Sequence, residues 1–532
     1  MAVSFPILII ETLAGGRLLV LALVLPLLGA LLAFSTGGRA ARRIALVTAL
    51  AGLVVAAAIA LQLTSSAAAL DYAFGGWAPP LGVSLRADGP AVMMLVTTAL
   101  VIAATMVYAG VDFQPAAGQR EGRSGLVFWT LLLALWAALN AIFLGQDLFN
   151  LFVALEILTF SAVPLVCLNG RAETIGAALR YLLFALLGSV LYLLGAGLIY
   201  GAYGLLDLGL LAARIQADAG AAPPALWLAL GLMTAGLMAK TAIVPLHLWL
   251  PPAHSGAPAA ASAVLSALVV KGAFFVLLRL WFDLVPVPAG WLLAQMQGAL
   301  GAAAILLGGV MALRQTRLKL MVAYSTVAQI GYLFLIFPLA GADAAVAFIT
   351  VGVALDAGTA ALTGGLLQIV SHALAKAAMF LAAGRIAARL GHDRIDDLGG
   401  VGRAMPLTLL AFGLAGLSLM GLPPSGGFAA KWLLLRAAVE TGQWWWSLAI
   451  LLGGLLTAGY LFRVLATALR EAPDDSAIAD ARAGTGPAAP GPALAILLLA
   501  GLSVLLGLVP LGYWELIQIG RPGLYQPLGM VP

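Results

Sequence analysis

Charge and cysteine are both scarce in this chain. Only 9% of its 532 residues are Asp, Glu, Lys or Arg, whereas soluble domains carry about 25%. The single cysteine, Cys167, excludes a disulfide framework and a cysteine-based metal cluster. No glycine-rich phosphate loop, HExxH motif or CxxC motif occurs in a context where it could form a binding site. We therefore expect no metal, no cofactor and no catalytic chemistry of the chain's own.

Long apolar runs dominate the sequence instead. Hydrophobic residues make up 63% of the chain, and its mean hydropathy is +1.07. Runs of about 20 apolar residues are long enough to span a bilayer, and in lipid they must be helices unless they alternate in polarity as barrel strands do. The pattern predicts an all-α integral membrane protein with about fourteen transmembrane helices. The predicted spans are 17–36, 43–63, 89–110, 125–145, 147–169, 175–203, 225–250, 258–282, 289–313, 318–340, 362–387, 405–439, 444–468 and 492–513.

The distribution of Lys and Arg predicts the orientation of these spans. Loops and span ends on one side hold 15 basic residues, those on the other side hold 4, and the remaining 8 of 27 lie inside spans. The positive-inside rule then places both termini on the non-cytoplasmic side of the inner (plasma) membrane. Topology therefore accounts for the net charge of +5, and we expect no nucleic-acid partner.

Three segments do not read as complete spans. Residues 71–88 are predicted to form an external hairpin, and residues 470–491 a flexible cytoplasmic linker. Residues 341–361 are consistent with either a loop or a partial span.

Ionisable residues inside the spans are the most informative feature of the sequence. A charged residue at the centre of a membrane helix costs roughly 2.5–3.5 kcal/mol. If unpaired, five such residues would together cost more free energy than a typical stability margin of about 5–15 kcal/mol. They must therefore pair, line water or titrate. Burial lowers the pKa of a lysine and a nearby carboxylate raises it, so a lysine under both influences can take up and release a proton. The candidate relay residues are Glu156, Lys240, Lys271, His372, Lys376 and Lys431.

Helix-breaking residues lie beside two of these lysines. Pro245 cannot donate to the carbonyl of Thr241, so the span that carries Lys240 must open there. Unpaired backbone at membrane depth persists only inside protein or beside a water-filled cavity, and discontinuous helices mark ion paths in transporters. The second interruption precedes Lys431 and consists of Pro423, Pro424, Gly426 and Gly427.

Each candidate also has a purely structural interpretation. Glu156 and the lysines could form non-conducting pairs. His372 and Lys376 are four residues apart on one helix face, where they could either conduct protons or be satisfied core residues. Near the first break, His247 and His254 are candidates for proton uptake, although a loop position would explain them equally well.

Six stretches, taken together and in order, resemble one superfamily over roughly residues 70–465. It comprises the antiporter-like membrane subunits of respiratory complex I, Mrp-type cation/proton antiporters and membrane-bound hydrogenases. The stretches are LFNLFVALEILTF, AKTAIVPLHLWLPPAHSGAP, VVKGAFFVLLR, RLKLMVAYSTVAQIGYLFL, HALAKAAMFLAAG and GLPPSGGFAAKW.

The resemblance implies a fold with two inverted five-helix repeats and broken helices 7 and 12. Residues 1–110 would be helices 1–3, residues 125–282 the first repeat and residues 289–468 the second. Residues 492–532 would be helix 14 and the tail. The breaks beside Lys240 and Lys431 fall in the seventh and twelfth predicted spans.

By position, the resemblance also implies residue roles. Glu156 and Lys240 look like the charge-coupled pair of helices 5 and 7. Lys271, His372 and Lys431 look like the relay residues of helices 8, 11 and 12, and a lysine at the last position favours the complex I branches with lysine there, or the D-type subunit of Mrp. This chain departs from the family at Pro252 and Gly256, where many relatives have an aspartate and a glutamate.

The function implied is proton translocation within a multisubunit membrane complex. It would be driven by redox chemistry, as in a proton-translocating NADH-quinone oxidoreductase, or coupled to Na⁺ exchange, as in Mrp. The expected partners are other membrane subunits, the lipid bilayer and H⁺, with Na⁺ in the exchange case. A scaffold subunit with non-conducting charge pairs is the alternative.

Overall fold

The computed structural model describes residues 16–113, 122–218, 223–285, 290–340, 348–350, 353–471, 490–509 and 513–520. Most of the predicted linker 470–491 and part of the segment 341–361 lie outside these residues. The same holds for three arginines in the topology count, Arg120, Arg482 and Arg521.

The first part of the chain is helical apart from one hairpin. Strands β1 (Leu70–Ala73) and β2 (Ser84–Ala87) pair antiparallel, with Leu70 opposite Ala87. The helices are α1 (Arg17–Thr36), α2 (Gly38–Ser66), α3 (Gly89–Asp112), α4 (Arg123–Leu144), α5 (Leu148–Val166), α6 (Ala172–Tyr203), α7 (Leu208–Ala217), α8 (Pro224–Thr241) and α9 (Leu250–Gly256).

The second part is helical apart from a short strand pair, β3 (Phe348–Thr350) and β4 (Val353–Leu355). Its helices of more than four residues are α10 (Ala259–Leu284), α11 (Trp291–Leu313), α12 (Leu318–Ala340), α13 (Ala357–Leu390), α14 (Pro406–Met420), α15 (Gly426–Glu440), α16 (Trp445–Leu469), α17 (Pro490–Leu505) and α18 (Tyr513–Gln518). Helix α10 contains one π-helical segment, Leu265–Val269.

Several helices begin where a polar side chain caps them. Asp147 accepts a hydrogen bond from the backbone N–H of Asn150 at 2.8 Å and starts α5. Such a cap satisfies one of the backbone donors that the first helical turn leaves without a partner. The other side-chain caps are Asp88 of α3, Asp207 of α7, Asp356 of α13 and Ser425 of α15.

Eleven helices among the described residues are long and apolar enough to cross a membrane, namely α1–α6, α10–α13 and α16. Helices α10 and α13 are enclosed by other helices along their apolar spans. Outer helices expose leucines such as Leu183, 68% exposed, and Leu455, 70% exposed. The protein is therefore an all-α, multi-span membrane protein as predicted, and the candidate residues of α10 and α13 lie at its centre.

Several predicted boundaries need correction. Helix α7 was not predicted, because its ten residues are too few to span a membrane. Helix α13 begins at Ala357 rather than 362, since Asp356 caps it. Gly426 and Gly427, predicted as part of the break within the span 405–439, form the first turn of α15 instead. The spans 225–250 and 405–439 each consist of two helices with a break between them.

One main-chain pairing occurs twice in the fold. The residue before α5, Asp147, bridges antiparallel to Asp207, and the residue before α12, Arg317, bridges to Arg394. Backbone hydrogen bonds of 2.7–2.9 Å flank both bridges. This duplication supports the predicted internal repeat; the inverted arrangement and the count of fourteen spans stay predictions.

Candidate functional site

The first helix break lies directly after Lys240. Helix α8 ends at Thr241, Ala242 adopts a left-handed conformation with φ 57°, and Pro245 lies in the non-helical stretch before α9. The indole N–H of Trp249 donates to the carbonyl oxygen of Ala239 at 3.0 Å. An opened helix leaves its last carbonyls without intrahelical donors, and Trp249 supplies one of the replacements.

Glu156 of α5 and Lys240 of α8 form an ion pair inside the protein. Lys240 Nζ lies 3.2 Å from Glu156 Oε1, and the two side chains are 6% and 16% exposed. Lys240 also donates to Thr159 Oγ1 at 3.0 Å, and Ser189 of α6 donates to Glu156. Three helices thus hold one proton-binding pair with additional hydroxyl partners.

Two glycines let α6 and α8 approach closely enough for these contacts. A Cβ on Gly236 would lie 2.3 Å from the carbonyl oxygen of Gly188, and a Cβ on Gly188 would lie 2.5 Å from that of Gly236. Both obstacles are backbone atoms, which cannot move as a flexible side chain can. Small residues commonly permit this approach between membrane helices.

We expect Gly236→Val to separate α6 from α8 and to destabilise the protein by about 1–3 kcal/mol or more, the usual effect of overpacking. Thermal unfolding of the purified full chain measures the change. Gly231→Val is the matched control, because Gly231 lies on the same helix with no atom within 4 Å of its added Cβ. Equal unfolding temperatures for the two variants would show that the glycine contact does not determine the packing.

The two histidines near the break have different environments. His254 of α9 is buried and packs edge-on against Trp249 and Phe380, with ring centroids 6.1 and 6.0 Å away. Neither of its ring nitrogens has a hydrogen-bond partner within the described part of the chain. His247 lies in the non-helical stretch and is half-buried. His254 therefore faces the interior, whereas His247 does not join the buried cluster.

Lys271 lies on the enclosed helix α10 and is 0% exposed. Its ammonium group donates to the carbonyl oxygen of Ser266, five residues earlier and within the π-helical segment. The Ser266 hydroxyl is in turn 2.8 Å from Thr326 Oγ1 of α12. Helical irregularities of this kind often accompany function, and here the irregular turn provides the partner of a buried lysine.

His372 and Lys376 share one face of α13 with Gln368 and Phe380, at intervals of four residues. Lys376 Nζ donates to the carbonyl oxygen of Val322 at 3.0 Å and to the hydroxyl of Ser325. Both ring nitrogens of His372 are buried without a hydrogen-bond partner among the described residues. The face leads from Phe380, which contacts His254, to Gln368.

The second break brings Lys431 to the end of another helix. Helix α14 ends at Met420, and Gly421 follows with φ 82°. Lys431 Nζ donates to the carbonyl oxygen of Leu419 at 2.6 Å and lies 4.2 Å from the ring centroid of Tyr332. A cation is favoured at a helix C-terminus by the unpaired carbonyls and the helix dipole.

Four uncharged residues of α12 and α13 connect these groups, and the sequence interpretation did not assign them. Gln368 Nε2 donates to Gln329 Oε1 at 2.9 Å, and Gln329 Nε2 donates to the carbonyl oxygen of Leu419 at 3.1 Å. That carbonyl also accepts from Lys431. Together with Ser325 and Thr326, Gln329 gives α12 a polar face towards the buried lysines. The sequence signal that could have identified these residues is the spacing of Ser325, Thr326 and Gln329 within an apolar span.

The buried lysines differ in their partners. Lys271, Lys376 and Lys431 donate to backbone carbonyl oxygens. Among the ion pairs of the described residues, Lys240 is the one member of this set with a carboxylate partner. A carbonyl, a hydroxyl or an aromatic ring stabilises an ammonium group less than a carboxylate does, so the other lysines are suited to transient protonation.

A second buried ion pair lies on the same helix as Lys271. Arg279 Nη2 is 3.2 Å from Asp88 Oδ2, and both side chains are 1% exposed. The guanidinium group also lies 5.1 Å from the ring centroid of Phe275. Arg279 lies near the end of α10, where a long side chain could also reach the membrane surface. The structure buries it instead, because its partner Asp88 caps a helix 191 residues away in sequence.

A cavity of about 1110 Å³ adjoins the short helix α9. Pro251, Pro252 and Ser255 of α9 form part of its wall, while His254 of the same helix points inward and is buried. Arg171, Arg317 and Lys319 of the wall belong to the side that the topology count assigns to the cytoplasm. The cavity therefore brings solvent to one side of α9 and leaves His254 on the other.

These features define a membrane protein in which two broken helices and two enclosed helices carry a line of buried ionisable groups. The chain belongs to the NADH:quinone oxidoreductase/Mrp antiporter transmembrane family, whose sequence pattern matches residues 145–457. The superfamily resemblance seen in the sequence is thus confirmed.

The relatives include both redox-linked and antiporter subunits. The chain is 36% identical over 429 residues to NADH-quinone oxidoreductase subunit N of Desulforudis audaxviator (strain MP104C), covering 78% of this chain and 80% of that protein. It is 27% identical over 450 residues to the D-type subunit of the Na(+)/H(+) antiporter of Bacillus subtilis (strain 168), covering 84% and 86%. A chain of the membrane-bound sulfane sulfur reductase, an archaeal respiratory membrane complex, matches with a TM-score of 0.81 and 26% identity, covering 94% of this chain and 96% of that one.

Proposed function

We propose that this protein is a proton-translocating, antiporter-like membrane subunit of a multisubunit complex. The observation that carries the proposal is the enclosure of Lys271, His372 and Lys376 in the two central helices, without a carboxylate ion pair among the described residues. Permanently charged lysines there would be costly. Groups that gain and lose protons as their neighbours change charge avoid that cost.

The proposed path begins at the cavity beside α9 and continues through His254 to the central groups. Protons then pass among Lys271, Lys376 and His372 and leave through Lys431. Glu156 regulates the proton affinity of Lys240: moving the two apart favours release, and moving them together favours uptake. Pro252 and Gly256, where this chain differs from many relatives, both line the cavity at which the proposed path begins. These two differences are therefore compatible with the path.

The scaffold alternative is not favoured. A scaffold needs its buried charges to be paired, and Lys271, Lys376 and Lys431 have only neutral hydrogen-bond partners within the described chain. Replacement of buried ion pairs by apolar residues is often neutral or stabilising, so purely structural lysines would have little reason to persist here.

Redox-driven translocation is the first candidate for the energy source, because the identity to the oxidoreductase relative is higher than the identity to the antiporter relative. Na⁺/H⁺ exchange is the second. In proteoliposomes that contain the assembled complex, we expect acidification or alkalinisation of the lumen with an electron donor and acceptor present and Na⁺ absent. Proton movement that requires Na⁺ and no electron transfer would instead assign the chain to exchange.

Gln329→Leu is expected to reduce proton transport between about tenfold and 10²-fold, the range that small misplacements of reacting groups produce. The change removes the amide that joins Gln368 to the Leu419 carbonyl. Proton flux into proteoliposomes is the measurement. Gln297→Leu is the control, since Gln297 is buried on α11 outside the line. Equal flux in both variants would remove Gln329 from the path.

The orientation of the chain in the membrane and the bounds of its two repeats are part of the same proposal. Both termini lie on the non-cytoplasmic side of the inner membrane, and the first and second repeats occupy residues 125–282 and 289–468. The basic cavity wall beside α9, which would face the cytoplasm, supports this orientation. Other membrane subunits of the complex supply the electron-transfer or ion-exchange partners.

A further inference from the structure

We propose that the cavity beside α9 binds the phosphate headgroup of an acidic phospholipid from the cytoplasmic leaflet. The cavity has a volume of about 1110 Å³ and lies between the first turns of α6 and α12, the short helix α9 and the end of α13. A volume of this size is slightly above the range of small-molecule sites. The binding claim does not depend on proton transport.

Basic side chains dominate the charge of the cavity wall. Arg171, Arg180, Arg317 and Lys319 line it, against the carboxylates of Glu173 and Asp393. Arg317 is already paired with Asp393, with Nε and Oδ1 3.0 Å apart. The ammonium group of Lys319 donates to the carbonyl oxygen of Ala257. Four basic side chains against two carboxylates leave the wall with a net positive charge, and its exposed arginines, Arg171 and Arg180, suit a phosphate. Basic pockets between helices on the cytoplasmic side of a membrane commonly bind acidic lipid headgroups.

The helix ends reinforce this charge. Helix α6 begins at Ala172 and α12 at Leu318, and both N-termini adjoin the cavity. The N–H of Leu318 donates to the carbonyl oxygen of Asp393 at 2.7 Å, so α12 offers the N–H groups that follow it. The unpaired donors and the helix dipole of an N-terminus attract anions. Neither helix has a side-chain cap that occupies these donors.

The other half of the wall is apolar and leads to the lipid-facing surface. Phe184, Leu248 and Leu320 line the cavity, and Leu248 is 59% exposed. Leu183 and Leu187 of α6 extend this apolar surface beyond the cavity, and they are 68% and 54% exposed. A soluble phosphate compound would use only the basic half. A phospholipid uses both, with its headgroup at the arginines and an acyl chain along the leucines.

The position of Arg180 favours a lipid over a soluble anion. It lies eight residues into α6, about 12 Å along the helix from Ala172 at 1.5 Å per residue. That depth is at or below the headgroup level of the leaflet, whereas Arg171 lies at the helix start. Two arginines at different depths match a headgroup that extends into the membrane from its surface.

A bound lipid phosphate would also change the proton supply to α9. Uncompensated cations at a cavity mouth repel hydronium, and an anion among them restores a neutral or attractive potential. The headgroup would lie beside Pro251 and Ser255, on the helix whose inner face carries His254.

Native mass spectrometry of the detergent-purified full chain tests the proposal with three probes at equal concentration: phosphatidylglycerol, phosphatidylethanolamine and inorganic phosphate. We expect phosphatidylglycerol to be retained and the other two not. The double variant Arg171→Gln/Arg180→Gln should lose about tenfold or more of that affinity, equivalent to about 1.4 kcal/mol. The single variant Arg180→Gln should show an intermediate loss, and it serves if the double variant does not fold.

The matched control is Arg39→Gln/Arg43→Gln, which removes two exposed arginines from the same predicted side but outside the cavity. It should bind phosphatidylglycerol like the unmodified chain. Equal retention of phosphatidylethanolamine, or unchanged binding by the cavity variants, overturns the headgroup site. Displacement of the lipid by equimolar inorganic phosphate assigns the site to a soluble anion. If the isolated chain retains the lipid through Arg180 but the assembled complex does not, an acidic segment of a partner subunit occupies the cavity and the lipid assignment is wrong.

Discussion

A complex that carries Glu156→Gln and Lys240→Met together is expected to assemble normally and to lose proton transport by about 10²-fold or more, the lower end of what a positioned proton-transfer group contributes. The double change removes both charges of the pair that lies 3.2 Å apart between α5 and α8. It leaves no uncompensated charge behind, whereas removal of one partner of a buried pair destabilises by about 3–5 kcal/mol. Loss of transport in an intact complex then reports on proton transfer and not on folding.

This variant separates a relay from a scaffold. If the pair is only structural, neutralising both members should preserve transport, and the single changes should be the damaging ones. Proton flux and the amount of assembled complex are both measured. The control is Arg214→Gln/Asp218→Asn, which removes a partly exposed ion pair of 3.7 Å at the C-terminal end of α7. Surface pairs contribute about 0–1 kcal/mol, so the control should match the unmodified complex in both readouts.

Lys271→Met should lower proton transport without lowering thermal stability. The side chain is fully buried, and its ammonium group donates to the carbonyl oxygen of Ser266. An apolar side chain of similar volume removes the desolvation cost of the ammonium group, so thermal stability is expected to stay equal or rise. Proton transport should fall by about 10²-fold or more, because no other group of α10 can carry the proton at that position.

Leu280→Met is the matched control for Lys271→Met. It replaces another buried residue of α10 with the same side chain, and volume-conserving apolar changes usually cost less than about 1.5 kcal/mol. Stability and transport should both stay near those of the unmodified complex. A Lys271→Met complex that unfolds at lower temperature would mean that the lysine stabilises the fold, and its effect on transport would then have no bearing on a relay.

Charged residues inside apolar spans could be found from the sequence because each is conspicuous there. The sequence therefore indicated the membrane class, the two breaks and the ionisable residues of the central helices. It also indicated that the breaks lie after Lys240 and before Lys431. The structure adds the reason for this order: Lys240 is in the last turn of α8, whereas Lys431 reaches back to the last carbonyls of α14.

Uncharged and long-range features could not be found in the same way. Ser325 and Gln329 are ordinary residues within an apolar helix, and their importance depends on contacts with Lys376 and Gln368 of another helix. The partner of Arg279 lies next to α3, far away in sequence, and so could not be read from spacing. Helix α7 is too short to register as a span, although its cap Asp207 takes part in the duplicated bridge.

Proton transfer through this chain is tested most directly by the number of protons moved per turnover of the driving reaction, measured in proteoliposomes with the assembled complex. We predict that Lys271→Met lowers this ratio while the complex still assembles and its driving reaction still runs. Leu280→Met should leave the ratio unchanged. An unaltered ratio in the Lys271→Met complex would contradict the proposal that protons cross the membrane through the buried lysines of this chain.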